Sequence, residues 1–193
     1  MAKIVYIIPG LGESIEDKRY AGVVELFAKK GFKIIPVRIT WKNRVMSDYV
    51  KESLLQFNQH TDKDEIYLFG FSFGAIISFV ASPQINPKMQ FLCSLSPYFK
   101  EDLPTIKEWW KKFMGKNRIN DFETLSFDDI SEKVKCKTYI FAGTSEGPEV
   151  VRRAKSAKKQ IEGSELFMID GAKHDISQDV YADKLVEVIS GIK

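Results

Sequence analysis

Short apolar runs alternate with helical patterns along almost the whole of this 193-residue chain. Residues 4–8, 32–39, 66–69, 91–95, 138–141 and 166–169 are β-rich runs too short for helices, and they read as strands. Between and after them lie segments with the 3.6-residue period. Residues 17–30 place Tyr20, Val23, Val24 and Phe27 on one face, with Gly31 just past the end. Residues 45–58 align Met46, Val50, Leu54 and Phe57. Residues 73–81 are apolar nearly all round, which predicts a deeply buried helix, and residues 149–161 and 179–189 follow the last two strands. Strands joined through helices run parallel, and a parallel sheet needs both faces covered. The fold class expected is α/β, a three-layer αβα sandwich around a mostly parallel six-stranded sheet. The length suits one domain over 1–193. Residues 97–134 interrupt the alternation. They are too long for an ordinary connection, carry Trp109, Trp110, Phe113, Phe122 and Phe127, and are expected to form a cap-like insertion with one or two helices.

Composition narrows the function classes. Hydrophobic residues make up 44% and charged residues 28%, the balance of a water-exposed globular protein. No apolar run approaches the ~18 residues of a membrane span, so no membrane partner is expected. Residues 4–8 are followed at once by Pro9-Gly10, too short a run for a secretory signal, which reads as a cytoplasmic protein. Cys93 and Cys136 lie in or beside apolar runs without metal-ligand spacing and read as buried thiols in a reducing compartment. The net charge is only +3. The densest basic stretch, residues 152–159, has Val150, Ala154, Ala157 and Ile161 at helical spacing, so its charges read as a solvated face rather than a nucleic-acid surface.

In an open parallel sheet, ligands bind beyond the carboxyl ends of the strands, so chemistry is expected in the loops that follow them. After the third strand comes Gly70-Phe71-Ser72-Phe73-Gly74, which leads directly into the apolar helix. A serine in such a strand–turn–helix context is held strained and exposed, while the flanking glycines let strand and helix approach. A serine hydroxyl needs a base. The chain has two histidines. His60 precedes the third strand, at the wrong edge of the sheet, and reads as a surface residue or helix terminator. His174 follows the last strand, at the edge where Ser72 emerges. The imidazole in turn needs an acceptor. Glu146, after the fifth strand, is the choice, with Asp102 and Glu101 as rivals after the fourth. Glu149 reads as a first-turn helix residue that favours the dipole. The amide after the serine, on Phe73, and that of Leu11 in the glycine-bearing loop Pro9-Gly10-Leu11-Gly12 are the expected oxyanion donors. That loop lacks the third glycine of a dinucleotide fingerprint and the lysine of a P-loop.

The run Gly70-Phe71-Ser72-Phe73-Gly74, then Gly143-Thr144-Ser145-Glu146, then His174, resembles the α/β-hydrolase superfamily, in particular its small members with little or no separate cap. The resemblance implies Ser72 as nucleophile, His174 as general base and acid, Glu146 as the triad acid, and Leu11 and Phe73 as oxyanion amides. The chain departs from many members in having Pro9-Gly10 in place of His-Gly, and glutamate in place of aspartate. The implied activity is that of a carboxylesterase-like serine hydrolase. It would act on an ester, thioester or amide of a small acyl substrate and require no cofactor and no metal. Trp41, Phe71, Tyr98, Trp109 and Trp110 could form an apolar pocket mouth; the two tryptophans at 109 and 110 could equally pack a helix onto the sheet. The competing reading is a noncatalytic module that keeps the fold and binds a ligand or protein partner in the cleft.

Overall fold

The structure, a computed structural model, describes residues 2–57 and 63–192; His60 lies outside the described residues. Six strands form one sheet: β1 (Lys3–Ile8), β2 (Lys33–Pro36), β3 (Glu65–Phe71), β4 (Met89–Cys93), β5 (Lys137–Gly143) and β6 (Glu165–Ile169). Their spatial order is β2-β1-β3-β4-β5-β6 and every pairing is parallel. The helices are α1 (Ala21–Lys29), α2 (Met46–Gln56), α3 (Phe73–Ile85), α4 (Glu108–Met114), α5 (Lys116–Phe122), α6 (Phe127–Ser131), α7 (Pro148–Gln160) and α8 (Asp179–Ser190).

The pleat sends alternate side chains to opposite faces. In β1, Ile4, Tyr6 and Ile8 join the apolar layer beneath α2, α3 and α7, while Val5 and Ile7 join the layer beneath α1 and α8. Both faces are covered, which is why the strands read as unbroken apolar runs rather than as alternating patterns. Cys93 and Cys136 are buried and unbridged, and belong to the layers on opposite sides of the sheet. Among the described residues no helix is long and apolar enough to cross a membrane.

Several elements differ from the sequence reading in length. The expected helix at 17–30 is a short 3-10 turn over Lys18–Tyr20 followed by α1. The second strand ends at Pro36, which has no N–H to donate, although Val37 N still reaches Ile7 O at 3.0 Å. Helix α3 continues beyond Ala81 through Pro83 to Ile85. Proline cannot donate to the carbonyl of Phe79, four residues earlier, but the Ser82 hydroxyl does so at 2.9 Å, which lets the helix pass through. Asn86, in the left-handed conformation at φ 46°, then ends it.

The insertion contains three helices, α4 to α6, rather than one or two. Its buried Phe99, Phe122 and Phe127 belong to the same apolar layer as α2, α3 and α7. Phe127 stacks on Phe79 of α3 with ring centroids 4.6 Å apart, and Phe122 meets Phe73 edge-on at 6.2 Å. An ion pair fastens the same segment. Arg153 of α7 donates to Asp102 through Nε (3.0 Å) and Nη2 (2.7 Å), both side chains are buried, and the guanidinium lies 4.1 Å from the centre of the Phe127 ring.

Candidate active site

The sheet order reverses between β1 and β3, and it is beside the carboxyl ends of strands at such a reversal that open parallel sheets place their binding crevice. Ser72 stands at the turn from β3 into α3 with φ 57° and ψ −115°. That conformation is rare for a residue with a side chain and costs on the order of 1–3 kcal/mol, so the surroundings must enforce it. They do so through close packing. A Cβ on Gly70 would meet the Gly74 carbonyl oxygen at 2.2 Å, and one on Gly74 would meet the Ile8 carbonyl oxygen at 2.1 Å. Only glycine allows β1, β3 and α3 to come this close. The Ser72 amide donates to Cys93 O at 2.9 Å and ties the turn to the end of β4.

The hydroxyl of Ser72 lies 2.9 Å from His174 Nε2, and His174 Nδ1 lies 2.7 Å from Glu146 Oε2. The two contacts fix the tautomer: Nδ1–H donates to the carboxylate and Nε2 accepts from the serine. The Phe71 ring, buried, lies under the imidazole with its centroid 5.1 Å away. Glu146 has a fully buried side chain whose other oxygen, Oε1, accepts from Gly143 N at 2.7 Å and from Ser94 Oγ at 2.8 Å. Three donors converge on one carboxylate, the arrangement that keeps a buried charge supplied with partners. Ser94 is also in the left-handed region, at φ 51°, and its hydroxyl is 3.0 Å from that of Tyr181. Burial, with the neighbouring Glu146 carboxylate, pushes the Tyr181 hydroxyl well above its ordinary range, so it stays a donor.

Both rival carboxylates are engaged elsewhere. Asp102 is paired with Arg153. Glu101 caps α6, accepting from Phe127 N at 2.9 Å and Ser126 Oγ at 2.8 Å. Its partial burial raises the carboxyl pKa, but these donors more than offset that and leave it below the usual value.

The loop after β1 is a turn closed by Glu13 N on Gly10 O (3.1 Å), with Gly12 at φ 76°. The amides of Leu11 and Phe73 donate to no other group among the described residues. Glu13 holds the turn from within: its carboxylate accepts from Gly10 N at 3.2 Å, from the buried Tyr20 hydroxyl and from Arg19. Arg19 reaches on to Asp175, beside His174, at 4.0 Å. Trp41 braces the loop from the other side, donating from Nε1 to Glu13 O at 3.1 Å and packing edge-on against Tyr49.

The remaining aromatic candidates form a chain leading outward. Tyr98 lies 5.3 Å from the Phe73 ring and stacks on Phe122 and Trp110. Burial raises its hydroxyl to about 12. Trp110 is half-buried between Tyr98 and Phe113, while Trp109 is 62% exposed on the outer side of α4. A small hollow beside them is lined by Tyr98, Ile106, Trp109, Trp110 and Val150. Sequence reasoning did not single out Ser94, Ser96, Glu13 or Arg19. Ser94 and Ser96 follow β4, and Glu13 follows β1, at the same sheet edge as the relay, but no residue pattern in those loops marks which partner each would meet.

A strained serine, an oriented imidazole, a buried carboxylate and unspent amides across one crevice can together move a proton from hydroxyl to ring while an oxygen nucleophile forms. The chain belongs to the alpha/beta hydrolase fold family, whose sequence model matches residues 3–186. Among solved structures it is similar to Est1E from Butyrivibrio proteoclasticus, with a TM-score of 0.83 at 16% identity, covering 97% of this chain and 85% of that one. An esterase from Pyrococcus furiosus gives a TM-score of 0.69 at 15% identity over 97% and 80% of the two chains. Dienelactone hydrolase from Anabaena variabilis gives 0.71 at 15% identity over 98% and 84%. At such identities the likeness is one of fold. No curated protein sequence matches the chain significantly.

Proposed function

We propose that the protein is a serine hydrolase that cleaves a small acyl substrate, foremost a carboxylic ester, through an acyl-serine intermediate. The observation that carries this reading is the continuous relay Ser72 Oγ–His174 Nε2 (2.9 Å) and His174 Nδ1–Glu146 Oε2 (2.7 Å). Family membership and esterase neighbours support hydrolase activity. In the first half-reaction Ser72 Oγ attacks the carbonyl carbon and its proton passes to His174 Nε2. Glu146 stabilises the resulting imidazolium. The oxyanion receives hydrogen bonds from the Leu11 and Phe73 amides, each such donor commonly contributing ~3–4 kcal/mol to the transition state. The imidazolium then protonates the departing alcohol. In the second half-reaction water takes the place of the alcohol, gives its proton to His174, and the carboxylic acid leaves as Ser72 recovers its proton.

In this reading the acyl group is assigned to the aromatic side of the site, where Tyr98, Trp109 and Trp110 line a small hollow. Est1E has been solved with ferulic acid bound, so aryl acyl esters belong beside short straight-chain esters in a substrate panel. The direct test is a fluorophosphonate probe followed by peptide mapping. Labelling is expected at Ser72, absent in Ser72→Ala and strongly reduced in His174→Ala. Well-folded protein that takes no label would instead support a noncatalytic binding module.

A further inference from the structure

The nucleophile has a second hydroxyl beside it that the triad does not use. Ser96 Oγ lies 3.1 Å from Ser72 Oγ. Ser96 is 3% exposed, and its hydroxyl has no other hydrogen-bond partner among the described residues. Its position is fixed at both sides. Ser94 is anchored by its amide to Phe141 O (2.8 Å) and by its hydroxyl to Glu146, and the Ser96 carbonyl accepts from Tyr98 N at 3.1 Å. The direction of the bond between the two serines follows from the proton count. Ser72 has one proton, and its contact with His174 Nε2 requires that proton. Towards Ser96 it can then only accept, so Ser96 donates.

We propose that Ser96 is a positioning and leaving-group residue whose hydroxyl favours free Ser72 over acylated Ser72 and thereby speeds release of the acyl group. The inference rests on the serine-hydrolase reading above and names a step within it. An alcohol oxygen is a good hydrogen-bond acceptor. The bridging oxygen of an ester is a poor one, because its lone pair is delocalised into the carbonyl. When Ser72 Oγ bonds to the acyl carbon, the Ser96 hydroxyl keeps its burial but loses the acceptor it had, and a buried donor without a good partner is unfavourable. In the second half-reaction the water oxygen bonds to the acyl carbon and its proton goes to His174 Nε2. The bond between the acyl carbon and Ser72 Oγ then breaks, and Ser72 Oγ takes the proton from His174 Nε2. As negative charge returns to Ser72 Oγ in that breakdown, the bond from Ser96 strengthens, which is where a donor lowers the barrier.

The kinetic signature separates this role from general support of the fold. With a short-chain p-nitrophenyl ester, Ser96→Ala is expected to lower kcat by roughly tenfold and KM by a similar factor, with kcat/KM little changed, because kcat/KM reports only steps up to acylation. Rapid mixing should show a burst of p-nitrophenol approaching one per enzyme, and intact mass should show the acyl adduct accumulating on Ser72. Ser96→Thr, which keeps a hydroxyl, should restore turnover and remove the accumulation. Fluorophosphonate labelling of Ser72 in the alanine variant checks that the site is folded. If the wild-type protein labels at Ser72 but Ser96→Ala shows the same burst and the same kcat, or loses kcat/KM without accumulating acyl-enzyme, the role of Ser96 is overturned and the hydrolase reading stands. If the wild-type protein neither labels nor acylates at Ser72, both are overturned.

Discussion

Glu146 is where geometry and chemistry can be separated by a single atom. Its Oε2 must accept from His174 Nδ1 while Oε1 accepts from Ser94 and Gly143. Glutamine fills the same space but puts an NH₂ donor into a site supplied entirely with donors, so either the histidine tautomer flips or a bond is lost. Glu146→Gln is therefore expected to lower kcat by about 10³–10⁴-fold with the fold intact, measured as steady-state ester turnover. Near-normal turnover would remove Glu146 from the relay. The three residues of the relay were legible in the sequence because each lies in the loop after a strand, and those loops share one edge in any parallel sheet. Glu13 was not. Its carboxylate matters because the turn it closes folds back on Gly10 and brings Tyr20 and Arg19 onto the same oxygen pair, and nothing in the spelling of residues 9–20 announces that.

Among the elements, the insertion and α7 are joined by the Asp102–Arg153 pair beneath the aromatic cluster of Phe99 and Phe127. Both partners are almost fully buried, so removing one strands the charge of the other. Asp102→Ala should destabilise the protein by about 3–5 kcal/mol, read as a lower midpoint in urea denaturation. Folded Asp102→Ala should still label at Ser72, since Asp102 makes no contact with the relay. Loss of labelling in well-folded variant protein would return Asp102 to the list of acids. The sequence made Asp102 a rival acid because it follows a strand at the correct edge. Its true partner is 51 residues away in the chain, at a distance no periodicity encodes. Helix α3 teaches a similar lesson. Proline at 83 reads as a stop, yet the preceding serine supplies the missing hydrogen bond and the helix continues.

For the molecule as a whole, the sheet order decides where reaction can occur. The reversal at β1 and β3 sets the loop of Leu11 beside the turn of Ser72, while β5 and β6 deliver Glu146 and His174 from farther along the same edge. Activity assembled in this way must depend on an imidazole that is free to accept a proton. His174→Ala is therefore expected to lower kcat/KM for ester hydrolysis by about 10²–10⁴-fold with the fold intact. Near-normal kcat/KM in the folded variant would exclude an imidazole base.

By itself the sequence determined the alternation of strand and helix, the strained serine between two glycines, and the histidine after the last strand. Each of these depends on interactions among near neighbours in the chain: side-chain period, steric limits on φ, and the rule that parallel strands point the same way. Only the tertiary structure decided which polar groups meet. Ser96 faces Ser72, Ser94 serves Glu146, and Arg153 takes Asp102, because strand register and helix packing bring together residues that are 24 to 52 positions apart. A hydroxyl or carboxylate can satisfy itself with many partners, so its choice is made by geometry once the core has closed around it.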